Sequence, residues 1–303
     1  MALVTAVIPT RNRPAMVVRA VSSVLTQTEC DLEVIVVIDG EDPATELALS
    51  EISDSRLRVI LLQSSVGGSE TRNVGAREAK GQWVAYLDDD DEWFPEKIER
   101  QLEAARSSRH AFPVISNKLI ARSPKADYIW PRLEPWLPIG DYLMRRREWF
   151  KGEGVLQTST LMAPRELLMR CSFTEGLRKH QDWDWLIRAL EVPGTGLEFV
   201  PSVLTVWYID ENRPGIGAKE DWRYSLAWGD SIRPLITPEA YASFVLTFLG
   251  ASAAFQGDWR AIYTLLRSAF QHGKPRLIHL MLFASMWLTP QKLRRLVRRL
   301  RYA

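Results

Sequence analysis

Cysteine and histidine are scarce: 303 residues carry two cysteines, Cys30 and Cys171, and four histidines. Two thiols so far apart in the chain suggest neither a disulfide framework nor a structural metal site, and this usage fits a reducing cytoplasm. No Ser-His-Asp order or Cys-His pairing emerges, so covalent hydrolase chemistry lacks its nucleophile and base. Charge of one sign is missing as well. Thirty-nine basic residues face 37 acidic ones for a net charge of +2, and nucleic acid is not an expected partner. Long hydrophobic runs are absent: Leu277 to Pro290, the longest low-charge stretch near the end, falls short of the roughly 20 apolar residues a spanning helix needs. The segment after Met1 has no basic n-region and no small-residue cleavage site, so no signal peptide is expected. With 46% hydrophobic residues and no internal repeat, the expectation is an enzyme-sized globular body.

What the chain does have is alternation. Leu3 to Ile8 is an apolar, β-branched run that Pro9 ends before the polar turn Thr10-Arg11-Asn12-Arg13-Pro14. Met16, Val17, Ala20, Val21, Val24 and Leu25 then fall at helical spacing, and Glu33 to Ile38 returns to buried-strand composition. The unit repeats with a helix at Ala44 to Ile52, a strand at Leu57 to Leu62, a helix at Glu70 to Ala79 and a strand at Gln82 to Leu87. Such alternation predicts an α/β fold with a mostly parallel sheet flanked by helices. Ligands of these sheets gather outside the carboxyl ends of the strands, where Thr10, Arg11, Asp39 and Asp88 all fall. Beyond Asn117 the pattern becomes irregular, notably from Ile129 to Trp149. Strands at Leu156 to Met162 and Leu204 to Tyr208, a helix at Asp184 to Leu190, and helices from about Pro238 onward complete the reading.

Four consecutive carboxylates, Asp88 to Asp91, follow the fourth strand. At a solvated turn they would be unremarked, but an apolar strand delivers them to the ligand edge, where a cation would relieve their repulsion. Oxygen-only ligands suit Mn2+ or Mg2+ bridging to a diphosphate. A calcium loop starting at Asp88 would need glycine at its sixth position, where Trp93 stands. The Gly67-Gly68-Ser69 turn lacks the lysine of a P-loop.

With these residues assembled, the sequence resembles the inverting family 2 glycosyltransferases, which have the GT-A fold. The matching pieces are Val7-Ile8-Pro9-Thr10-Arg11-Asn12-Arg13, Val37-Ile38-Asp39-Gly40, Gly68-Ser69-Glu70-Thr71-Arg72-Asn73, Tyr86 to Trp93, and later His180-Gln181-Asp182-Trp183-Asp184. The resemblance implies that Asp88 and Asp90 are the D-x-D pair, with Asp90 the principal metal ligand. It sets Asp88 or Asp89 nearer the ribose; Asp91, last of the four, is expected to begin the next helix. It also puts Pro9, Thr10, Arg11 and Asp39 around the base, and Arg72 facing base or diphosphate. Asp182 becomes the catalytic base, ionised by a helix N-terminus, with Asp184 as its competitor. Gln181 departs from the family's usual Glu-Asp pair.

The expectation is a metal-dependent transfer from a nucleoside diphosphate sugar, UDP-linked in the first instance, to a hydroxyl of a glycan or lipid-linked glycan. A sugar nucleotidyltransferase would need a Gly-rich basic signature after the first strand, which Pro9 to Arg13 does not supply, and a catalytically silent binding protein is the other alternative. Three segments are expected: 1–117 as the nucleotide-sugar-binding half, 118–236 as the acceptor-side half, and 237–303 as a helical C-terminal extension. In the last, Leu293, Leu296, Val297 and Leu300 recur at helical spacing among six basic residues and no acids from Thr289 onward. That tail suits the inner face of the plasma membrane or a protein surface, including a second subunit.

Overall fold

The computed structural model describes residues 3–148, 154–209 and 222–289. Four strands, β1 (Val4–Thr10), β2 (Leu32–Ile38), β3 (Leu57–Leu61) and β4 (Trp83–Tyr86), form the parallel half of a nine-stranded sheet in the order β3-β2-β1-β4. Helices α1 (Pro14–Leu25), α2 (Pro43–Ser50) and α3 (Gly68–Glu78) connect them. Strands β1 and β2 are mostly apolar because little of either face meets water: Val4, Ala6, Val7, Ile8 and Val34 to Ile38 are all buried. Helix α1 starts on Pro14, whose fixed φ and missing N–H suit a first turn, and lays Val17, Ala20, Val21 and Val24 inward. Helix α3 sits so close to β1 that a Cβ on Gly75 would lie 2.3 Å from Val7 Cγ1.

Pro9 does not end β1. The strand continues through Pro9 and Thr10, paired with Val37 and Ile38. The reason lies in the ladder. Val7 O accepts from Leu87 N at 3.1 Å, so residues of that parity address β4, and β4 pairing stops at Val7–Tyr86. At Pro9 no β4 partner remains, and the missing N–H costs no ladder bond.

The sheet becomes mixed beyond β4. After β5 (Glu92–Trp93) and α4 (Lys97–Ser107) come β6 (Phe112–Arg122), β7 (Asp127–Trp130), α5 (Ile139–Met144), β8 (Met162–Pro164), α6 (Arg165–Arg170), α7 (Gln181–Ala189) and β9 (Thr195–Tyr208). The order continues β8-β6-β9-β5, with β7 paired to β6. Strand β8 is antiparallel to β4 and β6, β9 parallel to β6, and β5 antiparallel to β9. The expected strand at Leu156 to Met162 is instead a 3-10 turn, Thr158–Thr160, followed by β8. Gln157 caps that turn by accepting from Ser159 N, a local side-chain bond that competes with extended backbone.

The chain divides into two compact units. The first comprises Met1–Arg122, Asp127–Glu134 and Leu156–Ile209 and contains the sheet; the second comprises Ser123–Ala126, Pro135–Val155 and Asp210–Ala303. Within the second, α5 is followed by α8 (Trp222–Ile232), α9 (Pro238–Ser243), α10 (Gly250–Gln256), α11 (Ala261–His272) and α12 (Leu277–Leu288), with a π-helical stretch, Phe244–Leu249, between α9 and α10. Glu239 ties this unit by ion pairs to Arg145 and Arg276, and Thr237 donates to Asp141 at 2.7 Å. The basic segment expected at the C-terminus lies outside the described residues. No helix among the described residues is long and apolar enough to cross a membrane.

Candidate active site

The four aspartates do not act alike, because a tight turn sorts them. Asp91 N donates to Asp88 O at 3.1 Å, curling the chain immediately after β4. Asp88, Asp90 and Asp91 thereby offer carboxylate oxygens within 4.8 Å of one another. Asp89 turns the other way. Its oxygens accept from Thr10 Oγ1 and Arg13 Nη1, both at 2.8 Å, which locks the end of β1 to the turn. Arg13 also pairs with Asp90 Oδ2 at 3.1 Å, and Arg19 Nη2 donates to Asp90 O at 2.7 Å.

Asp91 does not begin a helix. It leads into β5 and is fully buried, accepting from Ser159 Oγ at 2.7 Å, Gln157 Nε2 at 2.6 Å and Tyr208 N at 3.3 Å. Burial, and then the charges of Asp90 and Asp88, push its carboxyl well above the usual range. Burial also raises Asp89, against the pull of Arg13 and Thr10. Three oxygen-donor carboxylates whose mutual repulsion a cation would relieve fit a hard divalent metal such as Mn2+ or Mg2+.

A buried polar layer supports this turn. Trp93 Nε1 donates to Ser159 O at 2.8 Å, and Ser159 Oγ donates to Asp91 while accepting from Asp88 N at 3.0 Å. Lys97, with no exposed surface, lies 4.0 Å over the Trp93 ring and donates to Gln101 Oε1 at 2.7 Å. Gln101 Nε2 in turn reaches Asn117 Oδ1 at 2.9 Å and Thr160 O at 2.7 Å. Burial drives the Lys97 pKa far down.

Asp39, at the end of β2, accepts from Ser65 Oγ at 2.8 Å, Val66 N at 2.6 Å and Gly67 N at 3.1 Å, and so fixes the loop entering α3. Arg11 Nη1 reaches Ser65 Oγ at 2.5 Å, joining the same loop. Arg72, buried on α3, pairs with Asp88 and donates to Gln181 Oε1 at 2.8 Å. The family departure at Gln181 has a local reason: its amide also donates to Leu177 O at 2.5 Å, which a glutamate cannot do.

Asp182 stands in the first turn of α7, accepting from Trp183 N at 2.9 Å. The helix terminus does not set its ionisation. Burial raises its carboxyl to about 6, with the charge of Asp88 adding to the rise while Trp183 N–H and Arg72 oppose it. Asp184 is taken up elsewhere, by Thr174 Oγ1 at 2.6 Å and Arg188 Nη2 at 2.8 Å. Trp185 is a core side chain stacked on Phe173.

Sequence reading missed Arg13, Gln157 and Ser159 and undervalued Asp91. Arg13 lies in the turn that follows β1, two residues past Arg11, and its charge at the ligand edge was a signal. Gln157 and Ser159 carry no signal, being ordinary polar residues more than 60 positions from the turn they bind.

A doubly wound parallel half that carries an acid turn at its ligand edge defines a glycosyltransferase of GT-A type. The chain matches the model of glycosyl transferase family 2 over residues 5–171 and belongs to that family. Among curated relatives, it is 26% identical to the amylovoran biosynthesis glycosyltransferase AmsB of Erwinia amylovora over 76% of this chain and 78% of that protein. It is 31% identical to the Escherichia coli UDP-Glc:alpha-D-GlcNAc-diphosphoundecaprenol beta-1,3-glucosyltransferase WfgD, over 36% of this chain and 44% of that one. The crystal structure of S. aureus TarS 1-349 in complex with UDP-GlcNAc shares the fold, with a TM-score of 0.58 and 16% identity over 90% of this chain and 93% of that one.

Proposed function

We propose that this enzyme is a metal-dependent, inverting glycosyltransferase that moves a sugar from a UDP-sugar to a hydroxyl of a glycan or lipid-linked glycan. One observation carries the reading: the carboxylates of Asp88, Asp90 and Asp91 converge within 4.8 Å, and Asp182 stands within the electrostatic reach of Asp88 and Arg72. Asp90, with Asp88 and Asp91, would hold a divalent cation, which when bound would neutralise charge on the leaving diphosphate. Asp182, as the base, takes the acceptor hydroxyl's proton while that oxygen attacks the anomeric carbon from the face opposite the diphosphate. The bond from that carbon to the phosphate oxygen breaks, and its electron pair leaves with UDP.

Donor binding is assigned to residues 1–117, with Pro9, Thr10, Arg11 and Asp39 toward the base and Arg72, Asp88 and Asp89 toward ribose and diphosphate. Asp39 and Asp89 would exchange some present partners to do this, since their oxygens already accept from Ser65, Val66, Gly67, Thr10 and Arg13. Residues 118–236 are assigned to the acceptor side and 237–303 to the helical extension. The similarity to WfgD, a UDP-Glc:alpha-D-GlcNAc-diphosphoundecaprenol glucosyltransferase, supports a UDP-sugar donor and a lipid-diphosphate acceptor, and the fold shared with the TarS complex with UDP-GlcNAc supports the donor class. We further assign the enzyme to the cytoplasmic side of the membrane as a peripheral protein.

The stereochemical claim is tested by following transfer from UDP-GlcNAc or UDP-glucose with proton NMR. An α-linked donor should give a β-linked product first. An α-linked first product would reject inversion and with it the single-base role of Asp182.

A further inference from the structure

The mixed half of the sheet carries a group of aromatic side chains that donor binding does not use. In the register of β6, Ala121 pairs with Tyr128 on one side and Trp207 on the other, while Leu119 pairs with Trp130 and Thr205. Residues two apart on a strand share a face, so Tyr128, Trp130 and Trp207 all project from one face of three adjacent strands. Ala121 at their centre is too small to separate them. The Trp130 ring stacks on Tyr128 at 6.1 Å with 21° between planes, and meets Trp207 at 5.9 Å. Tyr128 is 45% exposed, and Trp130 and Trp207 are half-buried.

The same register ties this face to the acid turn. Glu92 pairs with Val206 and Trp93 with Thr205, so the strand that leaves the acid turn runs alongside the strand that carries Trp207. Tyr208 N also donates to Asp91 Oδ1 at 3.3 Å, so the acid turn itself reaches β9 one residue from Trp207. Moving across the sheet, the order is Thr10 and Asp39 at β1 and β2, then the acid turn after β4, then the aromatic group on β9, β6 and β7. The donor-side residues thus flank the carboxylates on one side and the rings on the other.

We infer that Tyr128, Trp130 and Trp207 form an acceptor subsite on which a pyranose ring of the acceptor glycan stacks with its apolar C–H face. This rests on the glycosyltransferase reading of the adjoining carboxylates. Flat, partly exposed rings bury the apolar face of a sugar while leaving its hydroxyl rim in water, and they lose little side-chain entropy in doing so. A protein partner is a poorer fit, because a face continuous with the catalytic turn must stay open for turnover. Trp130 and Tyr128 set affinity and orientation; they do not touch the proton that Asp182 removes.

The test uses the full chain with Mn2+, UDP-GlcNAc or UDP-glucose as donor, and methyl β-glucoside, methyl N-acetyl-β-glucosaminide and methyl β-galactoside as acceptor probes. Quenching of tryptophan fluorescence reads acceptor binding, calorimetry reads donor binding, and product formation gives KM and kcat separately. At least one glycoside should quench and be glycosylated. Trp130→Ala and the more exposed Tyr128→Ala should each raise its KM by about tenfold or more with a smaller change in kcat, donor affinity should hold, and Trp130→Phe should recover most of the loss. An unchanged acceptor KM in both alanine variants overturns the subsite. So does the absence of any quenching while the wild type still binds and hydrolyses donor. If the wild type neither binds nor hydrolyses either donor, the transferase reading itself fails.

Discussion

The most consequential side chain outside the acid turn is Asp182, and its environment yields a signed pH dependence. A base must be ionised to accept a proton, and burial holds this carboxyl at about 6 when an exposed aspartate would ionise near 4. Transfer measured as kcat/KM should therefore fall as pH drops through about 6 and level off above it, since that parameter reports the base in the unliganded enzyme. Asp182→Asn should lower transfer by about 10²- to 10⁴-fold, retain donor binding and lose the acid limb. An acid limb unchanged in the variant would assign the titration to another group. At this scale motif and position together pointed to Asp88, Asp90 and Asp182, and the structure brings Asp88 and Asp90 into one acid turn. Neither motif nor position gave a sign of the burial of Asp91, which depends on Gln157, Ser159 and the Tyr208 backbone arriving from distant elements. The rise in Asp182 was equally hidden, because a position at a helix N-terminus says nothing of burial.

Among elements, periodicity located β1 to β4 and α1 to α3 to within a few residues, since buried parallel strands and one-sided helices leave opposite patterns. It failed where local side-chain bonds override composition. Leu156, Leu161 and Met162 look like a strand, yet the Gln157 cap curls Thr158 to Thr160 into the turn that presents Ser159 to Asp91. Pro9 misled for a related reason: a proline's effect on a strand depends on which neighbour its nitrogen faces. Helices α11 and α12 carry a different message. Tyr263 and Phe270 on α11 are 70% and 59% exposed, and Leu277 and Leu288 on α12 are 72% and 82% exposed. With the basic segment from Lys292 to Arg301 following them in sequence, these side chains support a peripheral seat on an anionic bilayer. The protein should cosediment with phosphatidylglycerol-containing vesicles, less so at high salt, and the double variant Tyr263→Ser, Phe270→Ser should bind several-fold more weakly. Equal failure to bind anionic and neutral vesicles would remove the membrane assignment.

Across the whole molecule, chemistry follows from how the sheet is built. Its parallel half brings Thr10, Asp39 and the acid turn to one edge, and its mixed half supplies Ser159 from the 3-10 turn before β8 and Tyr208 and the aromatic group from β9, β6 and β7. The fold class was legible because βαβ alternation leaves few arrangements of a sheet. The mixed half was not, because β6 to β9 are assembled from segments up to about 90 residues apart, with short antiparallel pairings such as Ile115–Met162 that composition does not mark. Everything proposed for catalysis depends on the three converging carboxylates holding a metal against the donor diphosphate. Calorimetric affinity for UDP-GlcNAc and UDP-glucose, with Mn2+ and with chelator, in the wild type and in Asp90→Ala, tests this most directly. The account predicts donor binding that needs Mn2+ in the wild type and is lost in Asp90→Ala; donor affinity equal with and without the metal, or a Mn2+ effect that survives in Asp90→Ala, would contradict it.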